Sequence, residues 1–377
     1  MNLCYISYIY PNPEKPILGS FVEEQLAELS KNHNVHIITK GKSCWKCPEE
    51  EIVKGIHVHR LIAENPFVFN LQCFIKIISL NNKFSFDVIH SHFLGFLTVI
   101  CGLTSKIIRK PFFVTAYGLG LDPTTASFLR KLSIKLSFKF AKKVINISHY
   151  TKSLSEYYAP KKKQVIITPG ITLSKLKVTS NAKSFRKKWN LGNNIIILSV
   201  ANLVWRKGID IIMSVLPDII KHHPHLKYVI IGKGQEKSNL KRLVKKYKLT
   251  KNVIFVGWVS DENLANFYNV SDIFVLMSRT KGAAVEGFGI VYAEAGAFGK
   301  PVIGGKSGGT SDVVIDGKTG FLIEPENKRL LKEKLLLLVE NKNLRRQIGT
   351  HAKKYIYETH LWKYKVSQII KLYSKFI

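Results

Sequence analysis

EGFGIVYAEAGAFGKPVIGG, residues 286–305, contains two acids that stand eight positions apart around a pair of glycines. Glu286 comes before Gly287 and Gly289, and Glu294 follows them in an alanine-rich run that favours a helix. Glycines before a helix let a ligand approach the backbone, and the free N–H groups of the first helical turn attract anions. Carboxylates accept hydrogen bonds from vicinal hydroxyls. The segment therefore predicts a site for a ligand that carries both phosphate and sugar hydroxyl groups.

Two other loops supply cations that could balance the charge of a diphosphate. Arg206 and Lys207 follow one hydrophobic segment, and Gly232 begins a Gly-Lys-Gly turn after the next one. Each turn alone is typical of an ordinary solvated loop. The carboxyl ends of parallel strands meet at one edge of a sheet, so we expect both turns to lie near the glycine-rich segment.

Hydrophobic strands and helices alternate along most of the 377-residue chain. This alternation is typical of α/β folds with parallel sheets, and a chain of this length usually forms two domains. A polar, basic segment at 172–194 interrupts the alternation and is the expected linker. We therefore predict two Rossmann-like domains, 1–172 and 173–361, that face each other across a cleft.

These motifs resemble those of the retaining glycosyltransferases of family 4, which have the GT-B fold. The resemblance is carried by the E-x(7)-E motif from Glu286 to Glu294 and by its continuation into IDGKTGFLIEPEN. SVANLVWRKGID is similar to the family's phosphate-binding segment, and Gly19 matches its N-terminal glycine loop. HLWKYKVSQIIKLYSKF resembles its closing helix, so residues 362–377 should pack back on the N-terminal domain. That domain would bind the acceptor, and the C-terminal domain would bind the nucleotide sugar.

The resemblance also implies a role for each matched residue. Glu294 would bind the ribose hydroxyls, Glu286 would hold the transferred sugar, and Lys207 would neutralise the diphosphate as it leaves. The other expected donor-binding residues are Gly19, Arg206, Gly232, Phe288, Gly289 and Ile290. A helix N-terminus and cations would replace a metal ion. We therefore expect no metal and no cofactor besides the substrate, a UDP- or GDP-linked sugar.

Two positions depart from the family's usual pattern. Asn202 stands where relatives often have arginine, and Tyr117 stands where a histidine commonly contacts the donor sugar. Tyr117 can donate a hydrogen bond, but it is neutral at pH 7. We count Tyr117 as a catalytic candidate, together with the nearby His92. The alternative is that His90 and His92 are hydrogen-bonded core residues at the end of a strand.

The net charge of +32 indicates an anionic partner. No zinc finger, RNA-binding aromatic motif or helix-turn-helix accompanies the charge, so we expect no nucleic acid partner. The segment FLRKLSIKLSFKFAKKV, 128–144, contains no acid and predicts a helix on an anionic membrane surface. The alternative is an ordinary surface helix of a lysine-rich protein.

The prediction for this helix divides its side chains into three groups. The core face is expected to contain Leu129, Leu132, Leu136 and Phe140. The membrane is expected to meet the cations Lys131, Lys135, Lys139, Lys142 and Lys143. The side chains of Ile134 and Phe138 are expected to insert into the apolar part of the membrane.

Cysteine usage and the first residues indicate a cytoplasmic protein. The five cysteines form no disulfide framework, and the chain begins with a predicted strand rather than a signal peptide. Cys44 and Cys47 form a CxxC near His57 and His59, which makes a zinc site conceivable. The alternative is an exposed loop with two free thiols.

The leading hypothesis is a peripheral membrane enzyme that transfers a hexose to a hydroxyl of a glycan or glycolipid with retention of configuration. A second hypothesis is a soluble sucrose or glucan-type synthase. A third is a non-catalytic protein of the same fold that binds anionic surfaces.

Overall fold

The computed structural model describes residues 1–16, 18–41, 47–118, 120–280, 282 and 284–377. The chain divides into two compact units, Met1–Gly170 with Trp362–Ile377, and Ile171–Leu361. Cys44 lies outside the described residues, so the zinc interpretation stays a prediction, but Cys47 is disulfide-bonded, which contradicts the alternative of two free thiols. Within the described part of the chain, no group of three His, Cys, Asp or Glu side chains could hold a metal ion.

The first unit is built on one sheet. Its strands are β1 (Asn2–Ser7), β2 (Asn34–Lys40), β3 (Glu50–Val53), β4 (Ile56–Leu61), β5 (Val88–His92), β6 (Phe112–Ala116), β7 (Lys143–Asn146) and β8 (Gln164–Ile166). They lie in the order β3-β4-β2-β1-β5-β6-β7-β8, and only β3 is antiparallel to its neighbour. The alternation of strands and helices predicted from the sequence is present in most of this unit, although β2, β3 and β4 follow one another with no helix between them among the described residues.

Helices cover both faces of this sheet. They are α1 (Ser20–Leu29), α2 (Pro66–Phe84), α3 (Phe96–Ile107), α4 (Phe128–Phe140), α5 (His149–Ser155) and, from the C-terminus, α13 (Trp362–Tyr373). Successive strand residues point to opposite faces. Cys4 and Ile6 of β1 therefore pack in a core with α2, α3 and α4, while Leu3 and Tyr5 pack in a second core with α1 and α13.

The closing helix α13 packs on the first unit, as predicted. The Tyr373 hydroxyl lies 2.8 Å from the hydroxyl of Tyr5 on β1. The Lys365 ammonium donates to the Thr168 hydroxyl at 2.6 Å. These contacts hold α13 against β1 and against the segment that follows β8.

The prediction for α4 was wrong about which face is buried. Ile134 and Phe138 are fully buried, whereas Leu129 is 75% exposed and Leu132 is 43% exposed. Lys142 and Lys143 lie beyond the helix, which ends at Phe140. Two apolar stripes with the same helical period compete in this sequence, and the stripe that continues through Ser137 and Ala141 fits the sheet.

The second unit also has a single sheet, and all its neighbouring strands are parallel. The strands are β9 (Ile195–Val200), β10 (Leu226–Ile231), β11 (Val253–Gly257), β12 (Ile273–Leu276), β13 (Val302–Gly305) and β14 (Gly320–Ile323). Their order is β11-β10-β9-β12-β13-β14. The strand–loop–helix alternation predicted for this half is confirmed.

The helices of the second unit are α6 (Ala182–Lys188), α7 (Ile209–His222), α8 (Lys237–Lys246), α9 (Asp261–Val270), α10 (Ile290–Ala297), α11 (Lys328–Glu340) and α12 (Lys342–Thr359). The predicted linker segment, 172–194, contains a 3-10 turn and α6, whose Phe185 packs edge-on against Phe267 of α9. Among the described helices, none is both long enough and apolar enough to cross a bilayer.

Candidate functional site

A buried acid is the centre of the candidate site in the second unit. Glu286 is only 7% exposed, and its Oε2 atom accepts from the Ser278 hydroxyl at 2.9 Å. The same oxygen accepts from the Lys207 ammonium and from the Arg206 guanidinium, the latter at 3.3 Å. Arg206 and Lys207 follow β9, Ser278 follows β12, and Glu286 precedes α10. The loops that the sequence placed at one sheet edge therefore meet there.

Opposite charges stabilise this cluster in spite of its burial. Burial would raise the pKa of the Glu286 carboxyl, but Lys207 and Arg206 outweigh it and hold that pKa below its usual value. Burial lowers the pKa of the Lys207 amine, and Glu286 opposes that shift. We assign the pair as carboxylate and ammonium, because a buried charge is tolerated when it is paired and hydrogen-bonded.

Arg279 fixes the loop that carries Arg206 and Lys207. Its guanidinium stacks on the Trp205 ring at 3.6 Å and donates to both carboxylate oxygens of Asp210, at 2.9 and 3.1 Å. Its backbone N–H also donates to the Arg206 carbonyl at 2.7 Å. Arg279 is not among the residues predicted from the sequence, although its position shortly after the end of β12 could have indicated a role at this edge.

Helix α10 begins next to Glu286. Gly289 precedes its first residue with φ +87°, a left-handed conformation that favours glycine. A Cβ atom there would also lie 2.4 Å from the Tyr292 ring. Within the described part of the chain, the backbone amides of Phe288, Gly289 and Ile290 donate to no acceptor. These free donors at a helix N-terminus suit an anion.

Glu294 lies in the second turn of α10 and has a partner that the sequence did not reveal. The Tyr268 hydroxyl on α9 donates to its Oε2 atom at 2.8 Å. Nothing near Tyr268 in the sequence connects it to the acid motif, because the two residues are on different helices. The contact orients the Glu294 carboxylate.

The Gly-Lys-Gly turn lies beside the loop that follows β9. A Cβ atom on Gly232 would lie 1.9 Å from the Ala201 carbonyl oxygen, so only glycine permits this approach. The Leu203 N–H donates to the Lys233 carbonyl at 2.8 Å and joins the two loops. Asn202, at the position where relatives often have arginine, is exposed between them.

The candidates in the first unit form a separate group at the carboxyl ends of β1, β5 and β6. The Nδ1 atom of His92 lies 2.6 Å from the Tyr117 hydroxyl. The Phe21 ring contacts the Tyr117 ring, with 5.1 Å between centroids, and Gly19 caps the same helix, α1. His90 is instead a core residue, because its ring bonds Tyr373 and Thr115.

Neither His92 nor Tyr117 is charged at neutral pH. Burial lowers the pKa of His92 to about 3. Burial, with a smaller contribution from Tyr5, raises the pKa of Tyr117 well above its usual value. A neutral imidazole can accept the Tyr117 proton at Nδ1 when its own proton is on Nε2. This pair can therefore orient a hydrogen bond, but it supplies no positive charge.

Each unit contains a largely parallel sheet with helices, and family models that match the two halves of the chain identify the class of protein. Residues 181–355 match the model for glycosyl transferases group 1, and residues 18–175 match the model for Glycosyltransferase Family 4. The chain belongs to the family 4 type of glycosyltransferases and has the GT-B fold. The family predicted from the sequence is confirmed.

Two relatives and one solved structure illustrate the similarity. A mannosyltransferase of Mycolicibacterium smegmatis, named as GDP-mannose-dependent and acting on a phosphatidylinositol monomannoside, is 26% identical over 68% of this chain and 67% of its own. An uncharacterised glycosyltransferase of Methanocaldococcus jannaschii is 26% identical over 98% of both chains. The Anabaena protein HepE in complex with UDP superposes over all of both chains with a TM-score of 0.82 at 19% identity.

Proposed function

We propose that this glycosyltransferase moves a hexose from a UDP- or GDP-linked sugar to a hydroxyl of a glycan or glycolipid. The observation that carries the proposal is the buried Glu286 with its three donors, beside the free amides at the start of α10. Acid and cations at one helix N-terminus suit a ligand that presents sugar hydroxyls on one side and phosphates on the other. One relative is named as GDP-mannose-dependent and one similar structure contains UDP, so both guanine and uracil remain candidates for the base of the donor.

In the proposed mechanism, the residues of the second unit bind the donor and stabilise its leaving group. Glu294 would hold the ribose, and the amides of Phe288, Gly289 and Ile290 would contact sugar and diphosphate. Lys207 has three N–H donors, so its ion pair with Glu286 leaves others for a phosphate oxygen. Negative charge grows on the diphosphate as the sugar leaves, and fixed cations lower the energy of that state.

We further propose that the reaction retains anomeric configuration and needs no metal ion. Arg206, Lys207 and the helix N-terminus supply the positive charge for which other transferases use a cation. Tyr117 and His92 would orient a hydroxyl in the first unit by hydrogen bonding, because both are neutral. A cytoplasmic location and peripheral contact with an anionic membrane would suit a glycolipid acceptor, and exposed Phe128, Leu129 and Leu132 on α4 support that contact.

A thermal-shift screen over UDP- and GDP-linked hexoses tests the proposal, because a bound donor raises the unfolding temperature by mass action. We expect one base to be preferred and EDTA to leave the shift unchanged. Glu286→Gln should weaken the response to the sugar nucleotide more than the response to the free nucleoside diphosphate. Glu358→Gln, on the exposed side of α12, is the matched control.

Activity assays separate the proposal from its two rivals. Transfer to fructose or a soluble glucan would favour the synthase. Donor binding without release of the nucleoside diphosphate, under any acceptor, would favour a non-catalytic protein, for which the neutral Tyr117 and the exposed Asn202 are the supporting features. Release of the nucleoside diphosphate with a glycolipid acceptor would support the proposed transferase.

A further inference from the structure

A basic cavity of about 640 Å³ lies in the first unit, between the ends of α3 and α4 and the start of β6. It is at the opposite end of β6 from Tyr117. Five strand residues separate the two places by about 16 Å. The cavity is therefore distinct from the candidate residues of the first unit, His92 and Tyr117. Its cationic lining residues are Lys106, Arg109, Lys110, Lys139, Lys142 and Lys163.

In the described part of the chain, these six positive charges have no acidic partner. Among the described residues, no acidic side chain lines the cavity, and none of the six cations forms an ion pair. Lys163 donates to the carbonyls of Phe138, Lys139 and Ala141, each at 2.9 Å, and Lys106 lies over the Phe140 ring. Burial, and then Lys142 and Lys162, lower the pKa of Lys163.

Helix ends alone do not account for so many cations. A helix C-terminus carries roughly half a negative charge, so α3 and α4 together offset about one of the six positive charges. Arg109, Lys110 and Lys142 make no side-chain hydrogen bond among the described residues that would hold them in place. A bound anion would remove the repulsion between them, and phosphate is the group that several lysines and an arginine recognise best.

An apolar cavity of about 400 Å³ adjoins the basic one. Lys139 and Lys163 line both cavities, and the second is otherwise lined mainly by apolar side chains such as Leu132, Leu136 and Tyr158. Ile107, at the end of α3, is 62% exposed. A ligand that fills both spaces would need a phosphate at one end and a hydrocarbon chain at the other.

We infer that the two cavities bind a phosphorylated lipid, with the phosphate among the six cations and the chain along Leu132 and Leu136. The inference extends the proposed membrane contact and rests on it, but it does not depend on sugar transfer. The lipid would hold the first unit at the bilayer from the sheet edge that the candidate site does not use. It would thus be an anchor rather than an acceptor.

Vesicle flotation of the full chain tests the inference. The probes are phosphatidylcholine vesicles, alone or with phosphatidic acid added. The test variant is Lys110→Glu/Lys142→Glu, and the control is Lys241→Glu/Lys245→Glu on the exposed side of α8, which changes the net charge equally. We expect binding to phosphatidic acid vesicles to fall at least about tenfold in the test variant and to stay within about twofold in the control.

A further variant and a competition experiment identify the ligand, and nucleotide binding shows that each variant is folded. Leu136→Asp should weaken vesicle binding without removing a cation, and soluble glycerol 3-phosphate should compete only weakly with vesicles. Equal losses in test and control variants would overturn the inference in favour of non-specific charge. Strong competition by glycerol 3-phosphate, with Leu136→Asp unaffected, would overturn the lipid and leave a site for a free phosphate. All variants should bind nucleoside diphosphate as the parent does, which separates this test from failure of the proposed function.

Discussion

At the scale of single residues, the candidate site contains two acids that the fold has already oriented. One oxygen of Glu286 accepts from a lysine, an arginine and a serine, and one oxygen of Glu294 accepts from a tyrosine. All three of these bonds to Glu286 fall on its Oε2 atom, which leaves Oε1 to accept from a sugar hydroxyl. We propose that these two acids near one helix bind different parts of a single ligand.

Replacing Glu294 with alanine should reduce nucleotide affinity by about 1.5–3 kcal/mol, the usual cost of losing a hydrogen bond to a charged group. Tyr268→Phe removes only the bond that orients the carboxylate, so its effect should be about 0.5–1.5 kcal/mol. Calorimetric titration with UDP and GDP measures both. An unchanged affinity in Glu294→Ala would contradict the ribose assignment.

Replacing Lys207 with methionine should destabilise the second unit, because it removes the main partner of a buried carboxylate. The cost of breaking such a pair is about 3–5 kcal/mol, reduced here because Arg206 and Ser278 still bond Glu286. Lys207→Met/Glu286→Gln should recover much of the stability without recovering turnover. Urea unfolding and product release measured on the same samples check this, and recovery of turnover by the double variant would refute the leaving-group role.

At the scale of elements, the site depends on a short loop that a second loop holds in place. The Arg279 guanidinium is planar. It stacks on the Trp205 ring and donates hydrogen bonds to both carboxylate oxygens of Asp210. Lysine cannot reproduce that geometry. Arg279→Lys should therefore lower kcat at least about tenfold while the charge is conserved. Arg329→Lys on α11 is the matched control, and equal activities of the two variants would argue against this role of Arg279.

The elements themselves could largely be predicted from the sequence, because strand runs and turn glycines mark them locally. The start of α10 at Gly289 is an example, since a glycine before good helix formers indicates the end of a loop. The buried face of α4 could not be predicted, because two apolar stripes on this helix have the same helical period. Which of them is buried depends on its fit to the side chains of the sheet, which the local sequence does not show. Arg279 and Tyr268 were missed because their partners are 69 and 26 residues away in the chain.

At the scale of the whole molecule, buried neutral histidines make the first unit sensitive to acid. Burial lowers the pKa of His92 to about 3, and burial together with His57 and His59 does the same for His36. In the unfolded chain these rings take up protons below about pH 6.5. As the pH falls, these rings are protonated in the unfolded state before they are protonated in the folded state. The free energy of unfolding should therefore decrease as the pH drops from about 6.5 towards 3.

Urea midpoints at about pH 7.5 and about pH 5 measure this dependence. His36→Gln should make the midpoint less sensitive to pH, whereas His225→Gln, at an exposed position, should leave the sensitivity unchanged. The same pH dependence in His36→Gln as in the parent would show that buried His36 is not a source of the acid sensitivity.

The central claim is that the loops around Glu286 form the donor site of a metal-independent hexosyltransferase. The most direct measurement is release of UDP or GDP from nucleotide hexoses in EDTA, with a glycolipid acceptor, by the parent chain and by Glu286→Gln. We expect steady release by the parent with one of the two bases, and a loss of about 100-fold or more in the variant, with nucleotide affinity retained. Release that requires a divalent metal, or equal release by parent and variant, would contradict it.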